Sequence, residues 1–199
     1  MKLILGSDLH GHLPPVPPCD ILVLGGDIMR GHEQRSFYLN ELREWLQNAP
    51  ARRIVATWGN HDWPFHVQDL QSLRWDLLVD QTVTIDGMHF YGTPWSLPFY
   101  EWAWQAPEST LEKLYSHIPD NTNILISHTP PFGFCDKNDH GEHKGSKSLY
   151  DRMVELPDLR LVVCGHIHEA RGSRSLVVNA SSVARHQQLR PNPWIAWEL

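Results

Sequence analysis

The sequence is poor in cysteine, in net positive charge and in long apolar runs, and each shortage excludes a class of protein. Its 199 residues include three cysteines, Cys19, Cys135 and Cys164, with no CxxC pairing among them. An odd, scattered set argues against a disulfide framework and against a thiolate zinc site. The formal net charge of -6 disfavours wholesale binding to nucleic-acid backbone. It leaves room for a local site that takes one phosphate or nucleotide. No apolar run approaches the ~20 residues that span a bilayer. The opening MKLILGSDLHG has too few apolar residues before Asp8 to form an export signal. The expected setting is the cytoplasm, with no membrane partner and no long nucleic acid. Repeats, low-complexity segments and linkers are also missing, so residues 1–199 read as one domain.

What the chain does have is histidine and tryptophan, 13 and 9 residues respectively. Apolar runs alternate with helical patterns. LILGSD, DILVLGGD, RRIVATWGNHD, TNILISHTPP, LRLVVCGHIHEA, SLVVNASSV and PWIAWEL read as strands. EQRSFYLNELREWLQNA, PESTLEKLYSHI and SKSLYDRMVEL read as helices, the second with proline near its start. Asp86-Gly87, between two β-rich arms, predicts a hairpin. Strand then helix, repeated, with an antiparallel ending, is the pattern of a layered α/β fold. Open α/β sheets place ligands beyond the carboxyl ends of their strands.

Polar groups stand at those ends. They are Asp8-Leu9-His10, Gly26-Asp27, Gly59-Asn60-His61-Asp62, Ser127-His128 and Gly165-His166-Ile167-His168. Each follows an apolar run, so all can converge on one rim. A strand carried through CGHIHEA would put His166 and His168 on one face, because residues i and i+2 share a side, and would turn Ile167 into the core. Each group alone is a common loop accident. Together they offer mixed imidazole, carboxylate and amide donors, which suit Mn, Fe, Zn, Co or Ni. Seven donors, Asp8, His10, Asp27, Asn60, His128, His166 and His168, exceed the needs of one ion. They suggest two ions sharing a carboxylate, an arrangement that holds ions ~3.5–4 Å apart and clamps an in-line displacement. Two dications outweigh the charges of Asp8 and Asp27, so the site would attract an anion such as a phosphate ester.

The ordered set D-x-H, G-D, G-N-H-D, H and G-H-x-H resembles the calcineurin-like metallophosphoesterase superfamily and spans Asp8 to His168. The resemblance implies a four-layer αββα sandwich with two metals at its rim. Carried over by position, Asp8, His10 and His168 would hold one ion and Asp27 would bridge. Asn60, His128 and His166 would hold the other. His61 would face the substrate as general acid or transition-state stabiliser, and Asp62 would orient it or tie down its loop. Further stretches, YGTPWSLPFYEWAWQ, SHTPPFGFCD, CGHIHEARG and VVNAS, are similar to the metallophosphoesterase-domain-containing family of class III-type phosphodiesterases. That similarity implies hydrolysis of phosphodiesters, cyclic nucleotides included, by a hydroxide bridging two metals, with manganese the expected ion and a nucleotide the expected substrate.

Other readings compete. A phosphomonoesterase or protein Ser/Thr phosphatase would use the same centre, but its phosphate-binding arginines are not clearly matched. A nuclease lacks its basic stripe. A non-catalytic scaffold on this fold would be expected to lose donors or His61. Trp95, Trp102 and Trp104 could stack a base or simply pack a loop. Arg30 reads as solvent-facing, His140 and His143 as a solvated loop, and Asn179 as a turn residue or a hydrogen-bonding group near the rim.

Overall fold

The computed structural model describes residues 1–29, 37–63 and 73–199. Arg30, His32, His66 and the start of the first expected helix lie outside them. The strands are β1 (Lys2–Gly6), β2 (Cys19–Gly25), β3 (Ala51–Thr57), β4 (Asp76–Leu77), β5 (Gln81–Ile85), β6 (Met88–Thr93), β7 (Ile124–Ser127), β8 (Leu161–Cys164), β9 (Gly172–Arg174), β10 (Val177–Asn179) and β11 (Ile195–Glu198). They form two sheets, ordered β11-β1-β2-β3-β4 and β5-β6-β7-β8-β10-β9. A π-helical turn over Phe37–Leu42 leads into α1 (Arg43–Asn48), and α2 (Glu108–Tyr115) and α3 (Lys147–Glu155) follow later in the chain.

The near-continuous apolar strands are explained by burial on both faces, as expected of parallel strands covered on two sides. Successive residues alternate between two cores. Leu3, Leu5, Ile21, Val23 and Val55 of one sheet meet Phe90, Ile124, Ile126, Leu161, Val163 and Val178 of the other. The residues between them point outward. Ile4, Leu22, Leu24, Ile54 and Ala56 pack under Leu42 and Leu46 of the first helical segment. On the far side Tyr91, Leu125, Val162, Cys164 and Val177 pack under Leu111, Tyr115, Leu149 and Met153 of α2 and α3. The layers are therefore helix, sheet, sheet, helices, the αββα sandwich.

Local chemistry agrees with this plan. Asp86 and Gly87 have φ of 51° and 78°, the paired left-handed geometry of a tight hairpin turn, and β5 and β6 run antiparallel around them. Ser146 caps α3 by accepting from the Leu149 amide at 3.2 Å. The Glu108 carboxylate, at the start of α2, accepts from the amides of Lys147 and Ser148 and so ties the two outer helices together. The last expected strand pairs antiparallel with the first, Lys2 opposite Glu198.

One expectation fails in a way that matters. The strand carrying the two histidines stops at Cys164. His166 has φ of 67°, and a 3₁₀ turn begins at His168. No pleat places these two rings. Ile167 is buried, but it lies on this turn and not on a strand.

Phe90 is fully buried between the sheets. Truncating it leaves a void that rigid strands cannot fill, so Phe90→Ala should cost about 3–5 kcal/mol. Urea unfolding of the metal-free protein measures this.

Candidate metal centre

β1, β2 and β3 run parallel, as do β7 and β8, so their carboxyl ends face one edge of the sandwich. The chain leaves each of those ends directly into a polar group. The exits interlock through the backbone. Asp8 N–H donates to Gly26 O at 2.9 Å, His10 N–H to Asp27 O at 2.9 Å, and Gly165 N–H to His128 O at 3.0 Å. Asp8, His10, Asp27 and His166 have φ of 54°, 44°, 51° and 67°. Left-handed backbone at non-glycine residues costs energy and is found where surrounding structure enforces it. Here it turns each side chain inward straight after its strand. Gly165 has no alternative, since a Cβ there would collide with the side chains of Ser7 and Asp8.

The donors come together as follows. The Nε2 atoms of His10 and His168 face each other at 3.3 Å, and His168 Nε2 lies 3.2 Å from Asp8 Oδ1. Asp27 Oδ2 lies between two histidines, 3.8 Å from His10 Nε2 and 3.4 Å from His128 Nε2. His128 Nε2 is 2.9 Å from Asn60 Oδ1, and His128 Nδ1–H donates to Gly25 O at 2.9 Å. The His166 ring stands beside His128, with centroids 5.0 Å apart, while the His168 ring stands beside His10 at 5.2 Å. Among the described residues, three groups have donor atoms close enough to hold an ion: Asp8, His10 and His168; His10, Asp27 and His61; and Asp8, Asp27 and His128. His61 therefore offers a ring nitrogen to the centre.

Asp62 is fully buried, and its carboxylate accepts from the amides of Ile28, Met29 and Gly59 at 3.0, 2.9 and 2.8 Å. It joins the loop after β2 to the loop after β3. The His61 ring is held by other groups. Its centroid is 4.1 Å from that of Trp102 and 4.8 Å from that of His10. Trp95 and Trp104 have different tasks. Their indole N–H groups donate to Asp80 Oδ2 and Asp62 O, both at 2.7 Å, and the two rings pack edge to face. Of these tryptophans, Trp102 is the one that packs on the His61 ring. His143 pairs with Asp136 at 2.7 Å in the outer loop, and His140 is exposed there.

Burial sets the electrostatics. It opposes charge on Asp8 and Asp27, yet His168 beside the first and His128 beside the second hold both carboxyls well below the usual range. Burial pushes His10 down to about 4 and His166 to about 3, so both rings are neutral donors at neutral pH. Burial also lowers His61. For His128 burial is outweighed by Asp27, which raises it to about 9. Asp62 is raised to about 7 by burial and by the charge of Asp27, against the pull of the Gly59 and Met29 amides.

The donor set fits divalent ions. Two imidazole nitrogens aimed at each other and at a carboxylate satisfy one another poorly, since a single proton at most can sit between them. A cation between them satisfies all three. Ser181 closes the VVNAS stretch, but nothing in the sequence gives it a role. Its buried hydroxyl reaches Asp8 Oδ2 at 2.7 Å.

The calcineurin-like phosphoesterase family model matches residues 4–170. The chain is 29% identical over 230 residues to metallophosphoesterase domain-containing protein 1 of Homo sapiens, covering 96% of this chain and 69% of that protein, and the Mus musculus counterpart matches equally. An uncharacterised protein of Methanocaldococcus jannaschii is 31% identical, with 91% and 88% covered. The chain belongs to the calcineurin-like phosphoesterase family, whose members hydrolyse phosphate esters with the help of divalent metal ions.

An ion seated among Asp8, Asp27 and His128 must displace the proton that Asp27 keeps on His128 below pH about 9. Metal affinity should therefore rise with pH, by about tenfold per unit between roughly pH 6.5 and 8.5, and level off above about 9. Calorimetric titration in buffers of different ionisation enthalpy should show at least one proton released on loading, and a flat profile would contradict the assignment.

Proposed function

We propose that this protein is a two-metal phosphodiesterase acting on small phosphodiesters, cyclic nucleotides among them. The observation that carries the reading is the position of Asp27 Oδ2 between His10 and His128, where one carboxylate can serve two neighbouring ions. In this reading Asp8, His10 and His168 hold one ion, Asn60, His128 and His166 the other, and Asp27 both. Bound there, two divalent ions neutralise charge on the phosphoryl oxygens and bring the pKa of a water to near neutral.

The remaining work falls to the chain. Asn60, which is buried, and His61, which is partly exposed, flank the phosphoryl oxygens as polar donors. His61, when protonated, gives its proton to the leaving oxygen. Trp102 and His10 hold its ring in place. Asp62 keeps the two loops in register through three backbone amides. The guanidinium groups behind the 165–168 turn are already committed. Arg190 donates to His168 O and Arg171 to several carbonyls of residues 180–194. Among the described residues, phosphate binding at this centre is left to metals, imidazoles and Asn60, which suits the single charge of a diester better than the double charge of a monoester. Manganese is the ion of this reading, taken from the family resemblance, and the mixed imidazole and carboxylate set would also accept Fe, Zn, Co or Ni. The cytoplasm is its compartment, in keeping with three free thiols. Residues 1–199 act as one domain, in keeping with the pairing of the first and last strands.

Manganese-loaded protein should cleave bis-p-nitrophenyl phosphate and 2′,3′- or 3′,5′-cyclic AMP faster than p-nitrophenyl phosphate, and a preference for the monoester would reverse the proposal. Asp27→Ala should abolish most turnover even at saturating metal. His61→Ala should slow cyclic nucleotide cleavage by about 100-fold or more and the p-nitrophenyl diester by less, because its leaving oxygen needs no proton although its phosphoryl oxygens still lose a donor. Metal content is measured alongside, because loss of an ion in His61→Ala would make His61 a ligand.

A further inference from the structure

Among the described residues, the two sheets meet at the metal rim through a parallel bridge between Ser7, just past β1, and Ser181, just past β10. Ser7 N–H donates to Ala180 O at 3.0 Å and Ser182 N–H to Ser7 O at 2.7 Å. This places the Ser181 side chain beneath Asp8. Both are fully buried. The hydroxyl has two acceptors in reach, Asp8 Oδ2 at 2.7 Å and Asn179 Oδ1 at 2.8 Å. Asn179 Oδ1 already accepts the Ser181 amide at 3.1 Å. A carboxylate is also the stronger acceptor, so the proton goes to Asp8. Asn179 turns its amide the other way, toward the carbonyls of Cys135, Gly165 and Ile167, and so supports the turn that carries His166 and His168.

The two oxygens of Asp8 are thereby made different. The His166 amide reaches both, at 3.0 and 3.1 Å, but only Oδ2 receives the Ser181 hydroxyl and only Oδ1 is turned to His168 Nε2. We propose that Ser181 is a positioning residue of the metal centre, its hydroxyl fixing Asp8 so that Oδ1 is presented to the ion shared with His10 and His168. The inference rests on the ligand roles proposed above. Ser181 lies beyond the segment matched by the family model, which ends at residue 170. Outer groups that fix a ligating side chain typically change metal affinity by about 10- to 100-fold when removed.

The test is calorimetric titration of Mn²⁺ into the metal-free forms of the full chain, so that the readout does not depend on any substrate. Ser181→Ala should weaken binding at one of the two sites by about 10-fold or more. Ser182→Ala is the control. Its hydroxyl is equally buried but donates to Pro193 O at 3.0 Å, so affinity should stay close to that of the parent. Parent-like affinity in Ser181→Ala would overturn the proposal, as would an equal loss in Ser182→Ala, which would mean that the segment had merely loosened. Asp8→Ala is titrated in parallel. Parent-like affinity there would overturn the ligand assignment itself, an outcome distinct from failure of Ser181 alone. If Ser181→Ala does not fold, Ser181→Cys carries the same reading. Its weak S–H donor should cost several-fold in affinity, and parent-like binding would again overturn the proposal.

Discussion

Two carboxylates, Asp8 and Asp27, sit where water cannot reach them, 0% and 2% exposed, and the rest of the centre follows from that constraint. A buried charge is tolerable only if partners replace its solvation. Each carboxylate has several. Asp8 receives the His166 amide, the Ser181 hydroxyl and the His168 ring. Asp27 receives the His61 amide at 2.7 Å and lies against His10 and His128. In the absence of ions this arrangement draws protons onto His128 and His168. The same field would hold cations, and metal binding and proton release are coupled because they satisfy the same two charges.

The sandwich makes this economical. Its strands alternate residues between an inner and an outer core, which leaves their ends as the one place where polar groups can gather without breaking a packed layer. Chain exits in left-handed conformations fold the donors back over the strand ends. The strain in those exits is borne by a rigid sheet edge, as is usual where function demands an unfavourable backbone. A second ring of residues secures the first: Asp62 between two loops, Asn179 under the histidine turn, Trp102 on His61. His61, His166 and His168 are partly exposed, while Asp8, Asp27, His10 and His128 lie buried behind them.

Much of this was legible in the residues. The apolar runs, the Asp86-Gly87 turn and Pro107 before α2 are local signals with local causes, and they marked their elements. The ordered polar groups at strand ends marked the donors. The path of CGHIHEA was misread because alternation assumes a strand, and a strand ends when a neighbouring side chain claims the backbone. Here the Asp8 carboxylate takes the His166 amide, an interaction across 158 residues of sequence. Tryptophans 95, 102 and 104 look equivalent in sequence, and their different partners, Asp80, His61 and Asp62, come from distant segments.

The sequence by itself determined that the chain would build a two-sided core and carry metal-binding chemistry at its strand ends, because burial pattern and donor type are written residue by residue. Tertiary structure alone decided which donors are neighbours, which oxygen of Asp8 faces His168, and that Ser181 stands behind the other. Those are matters of approach between segments that fold together only when both sheets are in place, and no spacing along the chain encodes a distance across it.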